Sequence, residues 1–411
     1  VMLKWIQDHY DAELYTVTID IGQKADDLEA VKQKALKLGA KGAYVVDAKK
    51  EYADTQLREA ILANADYQGG YHLFCPLGRV IISKVGVDIA HKVGAEVIAH
   101  GSTGKGNDQV RFESYVTTLD PKMKTLAPVR EWSMGRDEQI EYAHKHQIPI
   151  SQSLKKIYSY DENLWGDSAE GGEIEELDQI PKFDDILIQC TPPQKAPDKA
   201  EMIELEFVEG IPVAIDGEKM DLVKLIQTCN ELGAKHGVGI LPLIEDRVVG
   251  LKVRGVYEEP GAEIIIQAHR NLEKLVCTRE ENAFKRMVDE KWAYMVYGAQ
   301  WYHPLMYHFK AYLDSVNKKV TGKVKVELYK GKAVVMACTS PYSLFDSKMA
   351  TFMKSDLFNQ NASPGFIELW NLPQKTGYNA AKNLWEPDKA RSPMKLFGED
   401  GLLEPHEQVT L

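Results

Sequence analysis

The stretch from Glu96 to Glu113 constrains the fold more than any other part of the chain. Glu96-Val97-Ile98-Ala99 is a short apolar run that reads as a buried strand. His100-Gly101-Ser102-Thr103-Gly104-Lys105-Gly106 follows, and Asn107-Asp108-Gln109-Val110-Arg111-Phe112-Glu113 passes into a helical pattern. A strand, a glycine-rich turn and a helix start together form a cradle for phosphate or carboxylate. The glycines let backbone approach a ligand, and the free N–H groups of the first helical turn favour negative charge. Thr103 adds a hydroxyl and Lys105 a cation, while Asn107 and Asp108 are residues suited to capping the helix. Arg111 lies one helical turn after Asn107, so both project from one face. Gly106 after Lys105 excludes a Walker A loop, and the glycine spacing excludes the dinucleotide fingerprint. On spacing alone, an ordinary polar loop before a capped helix stays open.

The neighbouring segments put this turn in an α/β frame. Val1 to Ile6 reads as a helix, Leu14 to Ile19 as a strand, and Asp26 to Leu38 as an amphipathic helix. Ala43 to Val46 is a strand, and Glu51 to Ala65 and Arg79 to Val93 are helices. Strands alternating with helices of this length predict a parallel sheet covered on both faces, with ligands beyond the carboxyl ends of the strands. The turn Asp20-Ile21-Gly22-Gln23 and Gly101 both fall at such ends. Pro128 to Trp132 and a helix over Asp137 to His146 close this part. The chain then changes character. The polar, aromatic Tyr158 to Ser168 leads into an acidic, proline-bearing connection over Glu173 to Lys199. Beyond it come a strand at Ile203 to Val208, a helix at Leu222 to His236, two strands up to Glu258, helices over Glu280 to Gly298 and Pro304 to Val316, and a hairpin of Val324 to Leu328 with Ala333 to Ala337. This α+β pattern predicts a second domain. Residues from Leu357 on read as less regular. The expected division is 1–156, 157–356 and 357–411.

A net charge of −11 argues against nucleic acid and anionic membranes as partners, and no apolar run reaches membrane-spanning length. Lys4, Asp8 and Asp11 in the first helix speak against a signal peptide. The 5 cysteines are odd in number and scattered without a CxxC pair, which suits the reducing cytoplasm and predicts no structural metal site.

The string HGSTGKGNDQVRFE resembles the signature of the argininosuccinate synthases, within the ATP pyrophosphatases. Further strings resemble the same family in the same order: APVREW, YSYDENLWGDS, KHGVG, IEDRVVGLKVRGVYEEPGA and SPYSLFD. The resemblance implies a nucleotide-binding domain, a synthetase and multimerisation domain, and a C-terminal oligomerisation segment. It also implies ATP-dependent joining of citrulline and aspartate through a citrulline adenylate, in a homotetramer, with Mg²⁺ carried on the phosphates of ATP. ATP is expected at Ile19 and along Gly101, Ser102, Thr103, Gly104, Lys105 and Gly106. Citrulline is expected at Tyr71, Asn107, Arg111, Ser159, Ser168, Glu245 and Tyr257, and aspartate at Thr103, Asn107, Asp108 and Arg79. No side chain reads as a general base, so Asn107, Asp108 and Arg111 are expected to act by positioning.

Two departures from the family pattern stand out. Cys75 and Pro76 occupy positions where the family carries a Ser or Thr pair. In the family, a strand and the motif SGGLDTS stand immediately before the first helix; a chain without them is expected to show little synthase activity, and one with them to be active. The alternative to the synthase is a catalytically silent, oligomeric ligand-binding protein on the same fold. A tRNA-thiolating enzyme or a glutamine-dependent synthetase would need cysteine pairs or a glutaminase domain.

Overall fold

A computed structural model of the protein describes residues 1–24, 27–132, 134–149, 157–350, 357, 359–381 and 384. The chain divides into two compact units, Val1–Leu344 and Phe345–Leu411.

The first unit begins with α1 (Met2–His9), β1 (Tyr15–Asp20), α2 (Leu28–Lys37), β2 (Gly42–Asp47), α3 (Lys49–Tyr52), α4 (Arg58–Leu62) and α5 (Phe74–Val93). β3 (Val97–Ala99), α6 (Asp108–Leu119), β4 (Lys124–Leu126), α7 (Pro128–Glu131) and α8 (Arg136–Lys145) follow. β1 pairs with β2 and β3 with β4, both in parallel. The expected sheet is thus present as two parallel pairs that are not hydrogen-bonded to each other among the described residues. α5 packs against both β1 and β3. It starts five residues earlier than the sequence suggests, because Pro76 sits in its first turn, where a missing N–H costs nothing. Leu73 before it takes a left-handed φ of 66°, and Gly94 closes it at 71°.

The second half carries β5 (Ser159–Asn163), β6 (Gly166–Glu170), α9 (Phe183–Ile186), β7 (Glu201–Val208), β8 (Ile211–Ile215), β9 (Glu218–Lys219), α10 (Leu222–Lys235), β10 (Ile240–Asp246) and β11 (Lys252–Glu258). α11 (Pro260–Val276), α12 (Arg279–Tyr297), α13 (Pro304–Val316), β12 (Gly322–Tyr329) and β13 (Lys332–Thr339) complete it. Its strands form two antiparallel sheets, ordered β10-β11-β6-β5 and β13-β12-β7-β8-β9. The sequence reading passes over α11, the most enclosed helix. Ala262, Ile264, Ile265, Ile266, Ala268 and Leu272 are all fully buried, while Glu263, Gln267, Arg270, Asn271 and Lys274 recur at helical spacing on its less buried side. α10 approaches it closely at Gly261, where an added Cβ would lie 2.5 Å from Asn230 Oδ1.

In the second unit, the segment expected to be irregular contains α14 (Ser363–Ala381), none of whose residues is buried. Phe366, Ile367, Leu369 and Trp370 are each at least 60% exposed there. The tail from residue 385 lies outside the described residues.

Candidate active site

The loop between β3 and α6 forms one wall of a cleft of about 510 Å³. Gly101, Ser102, Thr103 and Gly106 line it, whereas Gly104 and Lys105 are exposed and do not. Asn107 stands at the N-cap position of α6 but makes no capping bond, contrary to expectation. Its amide bridges outward instead: Nδ2 donates to the Tyr297 hydroxyl at 2.8 Å, and Oδ1 accepts from Val248 N at 2.8 Å. The first-turn N–H groups of α6 therefore keep their partial positive charge for a ligand.

Asp108 accepts from Arg79 Nε and Nη2 at 3.0 and 2.8 Å and from Arg111 Nη1 at 3.1 Å. Burial opposes its charge, but the two guanidiniums outweigh burial and hold the carboxyl well below its usual range. Arg79, expected as a clamp on aspartate, lines the cleft with Nε and Nη2 engaged, because Asp161 also pairs with it. Arg111 is 2% exposed and fully braced. Its Nε and Nη2 reach the Tyr297 carbonyl at 3.4 and 3.3 Å, and Nη1 reaches the Cys75 sulfur at 3.6 Å.

The opposite wall is one face of the sheet β10-β11-β6-β5. Strand pairing sets Ser168 opposite Asp161 and Tyr257, and Ser159 opposite Glu170. With side chains alternating along a strand, Ser159, Asp161, Ser168 and Glu170 share a face, and all four line the cleft with Glu245 and Tyr257. Glu245 is buried and accepts from the Tyr257 and Tyr297 hydroxyls at 2.9 and 2.7 Å. Burial, and then the Glu245 charge, push the Tyr257 hydroxyl far above its ordinary pKa. Tyr71 stacks obliquely on Tyr257, with ring centroids 4.5 Å apart.

Tyr71 and Cys75 reach the cleft from a tightly held turn. The buried Glu259 carboxylate accepts from His72 N at 2.8 Å and Phe74 N at 3.4 Å. The His72 ring nitrogens lie 2.7 Å from the Ala65 carbonyl and 2.9 Å from Glu263. Burial disfavours charge on this ring, but Glu263 and Glu259 more than offset it and raise its pKa to about 9. Trp165 Nε1 donates to the His72 carbonyl at 2.9 Å.

Ile19, expected beside the nucleotide, does not line this cleft; it is buried in the core with Ile21. Conversely, the cleft includes Tyr160, Asp161, Glu170 and Arg247, which sequence reasoning missed. The alternation from Ser159 would have flagged Asp161. Arg247 follows Glu245 closely in IEDRVVG and pairs with Glu170 at 2.8 Å. Three potential ligand atoms, from Cys75, Asp108 and Asp161, lie within 4.8 Å of one another. They do not fit a hard dication: burial pushes the thiol pKa well up, and Arg79 already engages both carboxylates.

The cleft thus sets Arg79, Arg111 and Arg247 against Asp108, Asp161, Glu170 and Glu245, a two-signed lining suited to zwitterions. Residues 1–149 match the family description "Arginosuccinate synthase N-terminal HUP domain", and residues 158–377 match "Arginosuccinate synthase C-terminal domain". The chain belongs to the argininosuccinate synthase family. It is 46% identical over 379 residues to the argininosuccinate synthase of Pyrococcus furiosus, covering 92% of this chain and 91% of the relative. The enzyme of Caldanaerobacter subterraneus subsp. tengcongensis is 45% identical over 376 residues, covering 91% of each chain. That of Streptococcus mutans is 44% identical over 374 residues, covering 91% of this chain and 93% of the relative. The family's N-terminal match holds both parallel strand pairs and the glycine-rich loop, and its C-terminal match holds the two antiparallel sheets.

Proposed function

We propose that the protein is a ligase that condenses citrulline with aspartate to argininosuccinate at the expense of ATP. The citrulline ureido oxygen attacks the α-phosphorus and expels pyrophosphate. The aspartate amine then attacks the activated ureido carbon and expels AMP. The observation that carries this reading is the two-signed cleft, in which a glycine-rich helix start faces Ser159, Ser168, Glu245 and Tyr257. Glu245 is the partner for citrulline's α-ammonium group, with the serines, Tyr71 and Tyr257 around it. Asn107 and Arg111 hold its other polar groups. Thr103, Asn107, Asp108 and Arg79 receive aspartate, and the loop from Gly101 to Gly106 receives the phosphates, with backbone N–H groups stabilising the growing negative charge. Ile19 is proposed against adenosine through its backbone. Catalysis rests on positioning, since the nucleophiles react once aligned. Mg²⁺ comes to this site on the nucleotide.

Four wider inferences accompany this. The exposed apolar side chains of α14 support burial between subunits of a homotetramer. The five free thiols support a reducing, cytoplasmic setting. No helix among the described residues is long and apolar enough to cross a membrane, and the partners are small molecules rather than nucleic acid. The domain division falls at 156/157 and 356/357. The test is pyrophosphate release from ATP with each amino acid omitted in turn, alongside argininosuccinate detection. Multiple-turnover release that needs both amino acids and matches the argininosuccinate formed supports the reading. Without aspartate, release stops at no more than one pyrophosphate per active site; sustained release without aspartate, or none with all three substrates, overturns it.

A further inference from the structure

Tyr297, the last residue of α12, touches four of the side chains assigned above to citrulline, Asn107, Arg111, Glu245 and Tyr71, yet does not itself line the cleft. Its hydroxyl accepts from Asn107 Nδ2 at 2.8 Å and donates to Glu245 Oε2 at 2.7 Å. Glu245 Oε1 in turn accepts from Tyr257 at 2.9 Å. Its backbone carbonyl, at the end of a helix where no further turn uses it, accepts from Arg111, and its ring lies 5.0 Å from the Arg111 guanidinium. Its ring also meets Tyr71 edge-on, with centroids 6.4 Å apart, and stacks on Tyr67 with centroids 3.8 Å apart and planes 7° apart. Tyr67 is held in turn by its hydroxyl, 2.9 Å from the Asp246 carbonyl. The ring therefore has little freedom to turn, and the hydroxyl is fixed between two walls of the cleft.

We propose that Tyr297 is a positioning residue that sets the distance and orientation between the carboxylate receiving the substrate ammonium group, Glu245, and the amide and guanidinium receiving its other polar groups, Asn107 and Arg111. The inference rests on the reading of the cleft given above. A hydroxyl that donates to one wall and accepts from the other ties the helix-start loop to the sheet by a single atom. Without it, Glu245 keeps one tyrosine donor and rotates toward it, and the Asn107 amide is held by Val248 alone among the described residues.

The test is Tyr297→Phe, which keeps the ring stack and the carbonyl and removes only the hydroxyl. Steady-state kinetics and calorimetric citrulline titration are run on the protein and this variant. Tyr294→Phe serves as a control, since Tyr294 is 59% exposed on the same helix. The expected result is a citrulline KM and Kd raised about tenfold, an ATP KM changed less than twofold, and at most a small drop in melting temperature. An unchanged citrulline Kd, or an ATP KM raised as much as the citrulline KM, overturns the positioning role. A parent protein that neither turns over nor binds citrulline removes the functional reading and this inference together. A parent that binds citrulline, with a variant that binds equally well, removes this inference alone.

Discussion

His72→Gln tests whether a buried imidazolium holds the turn that delivers Tyr71 and Cys75. Both ring nitrogens face acceptors, the Ala65 carbonyl and the Glu263 carboxylate, so the doubly protonated ring satisfies both. A pKa raised from 6.5 to about 9 corresponds to about 3 kcal/mol of stability. Because the folded value is the higher one, that contribution is complete below pH 6.5 and fades as pH climbs through about 9. Burial opposes charge on Glu263, but the His72 hydrogen bond and charge, together with Gln267 and Arg270, outweigh it and lower its pKa, so its share is present above 4.5 and lost in acid. Glu259, raised by burial to about 7, takes up a proton more readily once the imidazolium is gone and returns part of the loss. The stability gap between protein and variant should therefore be about 2–3 kcal/mol at pH 6 and shrink steadily toward pH 9.5. Urea unfolding followed by the fluorescence of the 7 tryptophans, at half-unit steps of pH, measures the gap directly. A gap that is flat in pH, or that widens as pH rises, refutes a charged His72.

Other outcomes follow from the same geometry. Arg111→Ala should weaken citrulline binding by about 2–5 kcal/mol and also lower the melting temperature, because Asp108 and the Tyr297 carbonyl lose a partner; calorimetry and thermal unfolding check both. Lys285→Met should cost about 3–5 kcal/mol, since Lys285 is fully buried between Glu273 at 2.9 Å and Asp289 at 2.8 Å; an unchanged urea midpoint contradicts this. If α14 lies in the proposed homotetramer interface, paired Leu369→Glu and Trp370→Glu changes should lower the mass seen in light scattering, and an unaltered mass would remove α14 from that interface.

The parts of this molecule legible in sequence were those whose cause is local. The strand, turn and helix start around Gly101 depend on residues within one stretch, and so did β10 and β11, which carry Glu245 and Tyr257. Glycine placement and alternating side chains sufficed there. Asn107 was misread as a cap because its actual partners, Val248 and Tyr297, lie 141 and 190 residues away. The bracing of Arg79 by Asp108 and Asp161, and of Arg111 by the Tyr297 carbonyl, comes from distant parts of the fold, whereas the Asp108–Arg111 pair lies within one turn of α6. α11 carries its own helical period, with Glu263, Gln267, Arg270, Asn271 and Lys274 on one side and a proline at its first position, so it too is legible in the sequence although the reading passes over it. α14 is hard to see in sequence because Pro364, Gly365 and Pro373 interrupt a helical pattern, although Pro364 falls in the opening turn, where proline is tolerated.

The Asn107–Tyr297 bond spans nearly half the chain, and this has a bearing on how the protein comes into being. Contacts this distant in sequence form late, since loop closure must precede any gain from them. A chain emerging from the ribosome possesses the glycine-rich loop long before it possesses α12, and until then the Asn107 amide has no hydroxyl to meet. Citrulline competence therefore arrives as one of the last events of folding, after the cores of both halves are in place. Once it arrives, ligand binding draws on contacts from across the whole first unit, so a saturating amino acid at a hundred times its Kd adds about 2.7 kcal/mol to the resistance of that entire unit to unfolding.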